Sequence, residues 1–169
     1  MLDNNLANES ILCQSCGLCC QGQLYSWVSL LPEEISVAKT WSIEIVTREN
    51  SVGFRQPCAC FQKMRCSVYP QRPRTCVEYR CRLLQDLRIN GVSLPDATRI
   101  VSQARELFHK IEALLPESSN KGIWQRISER WELENLHLLL ASGELTPATL
   151  MAIVTLDVFL KKYFRHKRV

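Results

Sequence analysis

The sequence predicts a mainly α-helical protein, or a small α+β protein, with a metal-stabilised cysteine-rich N-terminal lobe and a C-terminal three-helix bundle. Two observations lead to this prediction. All nine cysteines of the 169-residue chain lie between Cys13 and Cys81, and the last 88 residues contain none. Those last residues carry apolar side chains at three- and four-residue spacing, which is typical of amphipathic helices. We therefore expect a cysteine-cluster metal-binding region at 1–90 and a helical region at 91–169 that packs on it.

The composition is that of an ordinary globular protein. Hydrophobic residues make up 46% of the chain and charged residues 22%, which excludes disordered and low-complexity architectures. The net charge of +4 is too small to indicate nucleic-acid binding by itself. The first ten residues contain two acidic side chains and no basic or apolar block of a signal peptide. We therefore expect a cytoplasmic protein, in which clustered cysteines indicate metal binding rather than disulfide bonds.

A short helix and a β-hairpin are predicted between the two cysteine segments. Leu30–Lys39 suits a short helix because Pro32 fits its first turn and two glutamates follow at its positive end. Trp41–Thr47 is rich in β-branched residues, and Ser51–Arg55 returns across a turn around Asn50. These two runs are therefore expected to pair.

A turn and a helix are predicted in the second cysteine segment. Tyr69 and Pro70 favour a turn, and Pro73 fits the first turn of a helix over Cys76–Leu87. Cys81 would then lie about 140° around the helix from Cys76. Both thiols can bind one metal only if the helix is interrupted or if they serve different centres.

Three helices are predicted in the cysteine-free region. The first begins after Ser93 and extends to Leu115, before a break at Pro116–Asn120. The second is expected over about Ile123–Ala141, and the third begins at Thr146. Short connections between them predict an antiparallel bundle.

The first cysteine segment has the pattern of a metal-binding motif. It contains Cys13, Cys16, Cys19 and Cys20 in the order C-x2-C-x2-C-C. A C-x2-C pair suits a metal because a tight turn directs both thiolates at one centre, and Gly17 gives the backbone freedom to bend there.

The second cysteine segment adds five thiols and a local excess of positive charge. Residues 55–82 contain seven basic side chains, Arg72 among them, and one acidic side chain. Four thiolates that bind Zn²⁺ or an oxidised [4Fe-4S] cluster carry a net charge of -2, so nearby arginines would stabilise them and lower the pKa of the thiols. Arg72 is expected to reach a sulfur or a neighbouring carbonyl. The alternative is a solvated basic loop.

The two segments together resemble the YkgJ-like cysteine-cluster proteins. The resemblance covers residues 13–82 and consists of C-x2-C-G-x-C-C followed by C-x7-C-S-V-Y-P-x-R-P-x2-C-x4-C. That family is described as a zinc- or iron-chelating domain related to a region of flagellin lysine N-methylases. The resemblance implies eight metal ligands: Cys13, Cys16, Cys19, Cys20, Cys58, Cys66, Cys76 and Cys81. Cys60 is additional and could replace Cys58 as a ligand.

The spacing leaves both zinc and an iron-sulfur cluster open. Eight thiolates would satisfy two Zn(Cys)4 sites. Cys13, Cys16 and Cys19 also match the first three ligands of a bacterial ferredoxin motif, which slightly favours a 4Fe-4S cluster. The neighbouring Cys19 and Cys20 are expected to serve different metals, to bridge two, or to leave one thiol beside the site.

No catalytic group is predicted. The sequence pairs none of the histidines His109, His137 and His166 with an acid or a base. The six glycines form neither a G-x-G-x-x-G motif nor a P-loop, so methylase activity is not implied. We expect a non-catalytic role in assembly, as a carrier, or in electron transfer. The alternatives are a redox enzyme component with an iron-sulfur centre and a zinc-dependent nucleic-acid-binding module.

The last predicted helix ends in a basic segment at 161–169. Its apolar run of about 11 to 14 residues is too short to span a bilayer. The simplest expectation is a helix of the bundle with a solvated basic end, although it could also lie on an anionic membrane surface or contact an acidic partner. We expect a protein partner through the helical half and no nucleic acid.

Overall fold

The computed structural model describes residues 2–115, 121–130 and 136–166. In these ranges the chain has a mostly helical α+β fold with two small sheets. The helices are α1 Leu2–Cys16, α2 Ile35–Ala38, α3 Arg74–Glu78, α4 Arg82–Arg88, α5 Leu94–Glu112, α6 Ile123–Arg130, α7 Leu136–Ala141 and α8 Pro147–Tyr163. The strands are β1 Trp27–Ser29, β2 Val46–Arg48, β3 Ser51–Arg55, β4 Phe61–Gln62 and β5 Arg65–Cys66. A mainly helical fold with a small β component is therefore confirmed.

The N-terminal helix α1 is an element that the sequence analysis did not predict. Its sequence is rich in asparagine and shows no clear apolar stripe. Tertiary contacts hold it instead, as is common for helices in proteins. Leu12 is buried in the main core, and the buried Glu9 forms ion pairs with Arg80 at 3.1 Å and Arg88 at 3.5 Å. The last turn of α1 carries Cys13 and Cys16.

The predicted hairpin is confirmed, with a shorter first strand. β2 and β3 pair antiparallel, and β1 pairs with the other edge of β3. Trp41 lies in a 3-10 turn over Lys39–Trp41 that follows α2, so only the end of the predicted first strand is extended. The predicted short helix over Leu30–Lys39 is present as a 3-10 turn at Pro32–Glu34 followed by α2.

A second, two-stranded hairpin formed by β4 and β5 carries Cys66. Its two turn residues, Lys63 and Met64, both have positive φ, 47° and 63°. This turn geometry matches the twist of paired strands but usually contains Asn or Gly. The predicted turn at Tyr69 and Pro70 follows it as a 3-10 turn over Tyr69–Gln71.

The prediction of one continuous helix over Cys76–Leu87 is wrong. The chain forms α3 and α4, separated by an extended segment in which Cys81 has φ -65° and ψ 163°. At the break, the N–H of Arg82 donates to the carbonyl oxygen of Phe164 at 3.1 Å, where a continuous helix would direct it to the carbonyl oxygen of Glu78. The interruption frees Cys76 and Cys81 from the orientation of a shared helix.

The helices of the cysteine-free region begin where the sequence predicts. Ser93 caps α5 by accepting from the N–H of Asp96 at 3.2 Å, and Thr146 caps α8 in the same way. The predicted second helix corresponds to α6 and α7, and residues 131–135 between them lie outside the described ranges, as does the predicted break at Pro116–Asn120. In the described parts of the chain, no helix is both long and apolar enough to cross a membrane.

The main core joins elements from both parts of the chain. α5 packs against α8, α6 and α1, and α1 also packs against α4. Leu12, Leu87, Phe108, Ile127 and Leu156 are among its buried side chains. A smaller cluster around Val28 and Phe54 lies under the three-stranded sheet. Cysteines contribute to both clusters: Cys81 is part of the main core, Cys13 and Cys16 pack against it, and Cys58 and Cys76 pack against the smaller cluster.

Candidate metal centre

The nine cysteine thiols line two adjoining cavities, which we name the larger and the smaller thiol cavity. The larger has a volume of about 60 Å³ and is bordered by Cys13, Cys19, Cys20, Cys58, Cys60, Cys66 and Cys76. The smaller has a volume of about 40 Å³ and is bordered by Cys13, Cys16, Cys19, Cys20 and Cys81. All nine cysteines are free thiols. The fold therefore brings every predicted ligand, and Cys60, to one region of the molecule.

Backbone contacts join the two cysteine segments. The N–H of Cys58 donates to the carbonyl oxygen of Cys20 at 2.8 Å. Gly17 ends α1 with φ +67°, and the ring of Phe61 lies so close that a Cβ at this glycine would be 2.1 Å from the ring. Glycine is therefore required at this position for two independent reasons, conformation and space.

The thiols are not yet at the spacing of ligands around a single ion. Among the described residues, no three cysteine, histidine or carboxylate side chains have the arrangement that would hold one metal ion. The donor chemistry nevertheless fits a soft or borderline metal, since thiolates are the preferred ligands of structural zinc and of iron-sulfur clusters. Binding would require the side chains to move toward one another.

Burial controls the acidity of the thiols. It raises the pKa of Cys16 and Cys58 to about 12, and that of Cys76 and Cys81 to about 11. These four thiols are therefore protonated at neutral pH while no metal is bound. A cation would reverse this, because a coordinating thiol is deprotonated by the charge of the metal.

Neighbouring thiols raise the pKa of Cys19 and that of Cys20 further, in addition to the effect of burial. For Cys19, burial raises the pKa most, and Cys81 and Cys16 raise it further. For Cys20, burial is again the main cause, and Cys66, Cys58 and Cys76 raise the pKa further. Cys13 raises the pKa of both thiols, and Cys20 also raises that of Cys19, so the two adjacent residues share some thiol neighbours and differ in their strongest ones.

Arg72 supports the larger thiol cavity. Its guanidinium stacks on the ring of Tyr69 at 3.6 Å and donates to the Tyr69 carbonyl at 3.4 Å, which confirms the prediction that it reaches a neighbouring carbonyl. It also lowers the pKa of Cys13 and of Cys76, although burial outweighs it at both thiols. The Nε of Arg72 is buried without a hydrogen-bond partner in the described part of the chain.

The predicted effect of the basic segment on the thiols is only partly correct. Arg72 and Arg80 do lower the pKa of nearby thiols as expected, but burial outweighs them, so the pKa of Cys13 and of Cys76 is still raised. Arg74 does not serve the thiols, since it forms an exposed ion pair with Glu78 at 2.5 Å. Arg80 forms an ion pair with the buried Glu9, and it also lowers the pKa of Cys13.

Two tyrosines donate hydrogen bonds to thiols, and the sequence analysis did not identify this role for either. The hydroxyl of Tyr69 bonds to Cys13, and that of Tyr25 bonds to Cys76, and each bond lowers the pKa of its thiol. The ring of Tyr25 also meets that of Tyr79 edge-on at 4.8 Å. Such contacts orient sulfur ligands in metal sites.

Arg105 on α5 is a further supporting residue that the sequence analysis missed. Its Nη2 donates to the carbonyl oxygens of Ser15 and, at 2.9 Å, of Cys16. A cation at this place also complements the negative end of α1. Arg105 lies far from the basic segment in sequence, and only the tertiary structure reveals its role.

The C-terminal segment holds the backbone around Cys81. In addition to the Arg82–Phe164 bond, a ring nitrogen of His166 lies 2.8 Å from the carbonyl oxygen of Arg80. His166 is exposed, as expected for a residue of the basic end, and it also contacts the segment that carries Cys81. His137 is exposed, and His109 is exposed on α5.

Cys60 differs from the other thiols in its contacts. It is buried, and its sulfur donates to the carbonyl oxygen of Trp41 at 3.7 Å. It also shares a hydrogen bond with the Cys58 thiol. Both cysteines border the larger thiol cavity.

A comparison with protein-family models identifies the family to which the cysteine-rich region belongs. The model of the CxxCxxCC family, described as a "Putative zinc- or iron-chelating domain", matches residues 12–103, more than half of the chain. The chain belongs to the CxxCxxCC family. The resemblance predicted from the sequence is therefore confirmed. No curated protein and no solved structure matches the chain.

The extent of the family match separates two kinds of supporting residue. All nine cysteines, Arg72 and both tyrosines that bond to thiols lie inside it, whereas Arg105 and His166 lie outside. The family description supports metal binding by this chain, with zinc or iron as the metal.

Proposed function

We propose that this protein holds zinc or an iron-sulfur cluster through its clustered cysteines, in a non-catalytic role of metal assembly, metal transport or electron transfer. The observation that carries this proposal is the convergence of nine free thiols, from two segments far apart in sequence, on two adjoining cavities. The membership of the CxxCxxCC family supports the same conclusion.

The eight predicted ligands divide into two groups of four in this proposal. The first group consists of Cys13, Cys16, Cys19 and Cys81, which all border the smaller thiol cavity. The second consists of Cys20, Cys58, Cys66 and Cys76, which all border the larger one. The strongest thiol neighbours of Cys19 belong to the first group and those of Cys20 to the second, which supports this division. Cys13, Cys19 and Cys20 border both cavities, so the two groups adjoin there.

The lobe at 1–90 would complete its folding on the metal. The thiols are gathered but not at ligand spacing, so binding must draw them together, and the free energy of metal binding then contributes to the stability of the lobe. Tyr25, Tyr69 and Arg72 would orient the sulfurs and balance their charge.

The helical region at 91–169 would form a bundle that packs on the lobe and presents a surface to a protein partner. Met151, Val154 and Val158 are exposed along one side of α8 and support such a surface. α8 continues into the exposed Lys161 and Lys162, which would favour a partner with acidic groups beside its apolar contact.

Of the two metals, we propose an iron-sulfur cluster first. The support is the C-x2-C-x2-C spacing of Cys13, Cys16 and Cys19, together with the burial of their surroundings, which shields a cluster from solvent.

Anaerobic purification followed by iron, zinc and acid-labile sulfide analysis tests the proposal. Iron and sulfide in stoichiometric amounts, with the visible absorption of a cluster, would support the iron-sulfur form. Stoichiometric zinc without colour would support metal binding and overturn the iron-sulfur choice. A folded protein that binds neither metal after reconstitution would overturn the proposed function.

A further inference from the structure

A cavity that opens to the surface between α1 and α3 adjoins the larger thiol cavity, and we name it the α1–α3 cavity. Its volume of about 140 Å³ is enough for several water molecules. Leu6 on α1 and Val77 on α3 are exposed and line it. Cys13 and Cys76 line this cavity as well as the larger thiol cavity. The α1–α3 cavity therefore connects the surface with two of the predicted ligands.

The thiol of Cys13 lies among side chains of the α1–α3 cavity. The hydroxyl of Tyr69 bonds to this thiol, and the charges of Arg72 and Arg80 lower its pKa. Arg72 also lowers the pKa of Cys76. Tyr69, Arg72 and Arg80 all line the α1–α3 cavity. The sulfur of Cys13 is thus close to three groups of the cavity wall, and a small molecule in the cavity lies next to it.

Positive charge exceeds negative charge along the α1–α3 cavity. Among the described residues, its charged lining groups are Glu9, Arg72 and Arg80. The carboxylate of Glu9 is balanced by ion pairs with Arg80 at 3.1 Å and with Arg88 at 3.5 Å. The guanidinium of Arg72 instead contacts the ring and the carbonyl oxygen of Tyr69, which are both uncharged. A cleft lined by an excess of one charge concentrates ions of the opposite sign, so this cavity favours anions.

We propose that the α1–α3 cavity is an entrance through which small molecules reach the thiols of Cys13 and Cys76, and that it admits small anions in preference to cations. Its volume suits an anion of a few heavy atoms. The class of molecule is thus a small monovalent anion, such as hydrosulfide or a short carboxylate. No metal at the thiols is required, so the entrance is independent of the proposed function.

Alkylation of the reduced, metal-free protein by iodoacetate and by iodoacetamide tests the entrance. The two reagents have nearly the same size, but only iodoacetate is an anion. In both reactions the thiolate sulfur displaces iodide, so the ratio of the two rates at one cysteine does not depend on the pKa of its thiol. Mass spectrometry of peptides gives the rate at each cysteine. Slow labelling of the buried Cys60 and Cys81 shows in the same sample that the fold is kept.

Cys58 is the internal control for charge preference. It lines a separate surface groove, whose charged lining groups are one acid and one base, Glu44 and Arg55. In about 10 mM salt, we expect the ratio of the iodoacetate rate to the iodoacetamide rate to be about threefold higher at Cys13 and Cys76 than at Cys58. The difference should disappear near 1 M salt, where charges are screened beyond about 3 Å. Equal ratios at the three cysteines in low salt would overturn the anion preference.

A pair of variants at Val77 tests the charge of the cavity directly. Val77 is exposed and lines the cavity, so Val77→Glu adds a negative charge at its rim, and Val77→Gln is the matched neutral control. We expect Val77→Glu to lower the rate ratio at Cys13 by about threefold relative to Val77→Gln, with the ratio at Cys58 unchanged. Equal ratios at Cys13 in the two variants would contradict the proposed selectivity.

Leu6→Trp tests the route itself. The larger side chain narrows the opening, so both reagents should label Cys13 and Cys76 several-fold more slowly, while Cys58 keeps its rate. Ile11→Trp is the matched control, since Ile11 is exposed on the same helix and is not among the residues that line the cavity. Unchanged labelling of Cys13 and Cys76 in Leu6→Trp would mean that these thiols are reached by another route. A failure of the protein to bind metal would leave all of these rates unaffected and would contradict only the proposed function.

Discussion

Cys58 and Cys20 are joined by a backbone hydrogen bond of 2.8 Å, although 37 residues separate them in sequence. This bond aligns the end of the first cysteine segment with the start of the second. Both residues belong to the second proposed ligand group, and Cys19, one residue earlier, belongs to the first. The two groups are therefore held side by side by one backbone connection.

The first prediction concerns the division of the ligands. Cys16→Ser should remove the metal of the first group and leave that of the second, and Cys66→Ser should do the reverse. Each single variant is expected to retain about half of the bound metal because each centre has its own four thiolates. Metal analysis of the purified variants measures the amount of metal that each one retains.

Cys60→Ser is the control for that experiment. With Cys58 as the ligand, as the resemblance implies, removal of Cys60 should leave the metal content unchanged; loss of metal in this variant would assign Cys60 in place of Cys58. Loss of all metal in either single variant would instead indicate one shared centre.

The second prediction concerns the end of α1 at Gly17. Gly17→Ala should destabilise the protein by about 2 kcal/mol or more, because it combines a left-handed backbone with an overlap of its Cβ on the ring of Phe61. Gly143→Ala is the matched control: it has a similar φ of +76° but no heavy atom within 4 Å of the added Cβ. Chemical denaturation should show a loss of only about 1 kcal/mol for this control. Equal losses in the two variants would refute the steric argument.

The third prediction concerns Arg105 and the carbonyl of Cys16. Arg105→Leu should lower the free energy of unfolding by about 1 to 3 kcal/mol, since it removes charge-assisted hydrogen bonds to the end of α1. Lys110→Leu, on the exposed side of the same helix, should change it by less than about 0.5 kcal/mol. The test is urea denaturation of both variants. No difference between them would mean that Arg105 does not stabilise α1.

The sequence predicts best where local chemistry decides the structure. The caps Ser93 and Thr146 accept bonds from their own helices, and the β-branched residues around Asn50 pair as a hairpin. The ligand candidates could be proposed because cysteine spacing is itself the signal. These features need no knowledge of distant parts of the chain.

Distant contacts explain what the sequence could not predict. α1 depends on the ion pairs of Glu9 with residues over 70 positions away, and the break before Cys81 depends on Phe164. The turn at Lys63 and Met64 lacks the Asn-Gly signal that usually marks its geometry. In each case tertiary structure overrides a weak local preference.

The last prediction concerns how stability depends on pH, with and without metal. Without metal, burial raises the pKa of Cys16 to about 12 and that of Cys76 and Cys81 to about 11. In the unfolded chain these thiols ionise near their ordinary value of 9.0. The folded protein therefore holds more protons than the unfolded chain above that pH.

The free energy of unfolding of the metal-free protein should thus be highest below pH 9.0 and should fall as the pH rises toward the pKa of the folded thiols. Each thiol contributes a slope of about 1.4 kcal/mol per pH unit in that window. Metal binding reverses the sign, because coordinated thiolates carry no protons while the unfolded chain still binds them below pH 9.0. The metal-loaded protein should therefore gain stability as the pH rises from 7 to about 9.

Urea denaturation of chelator-treated and metal-loaded protein between pH 7 and 10.5 measures both slopes. A rise in stability between pH 7 and 9 only in the metal-loaded sample, together with a fall above pH 9.0 only in the metal-free sample, would show that the buried thiols are protonated without metal and bind it as thiolates. The same pH profile in the two samples would mean that these cysteines are not the ligands.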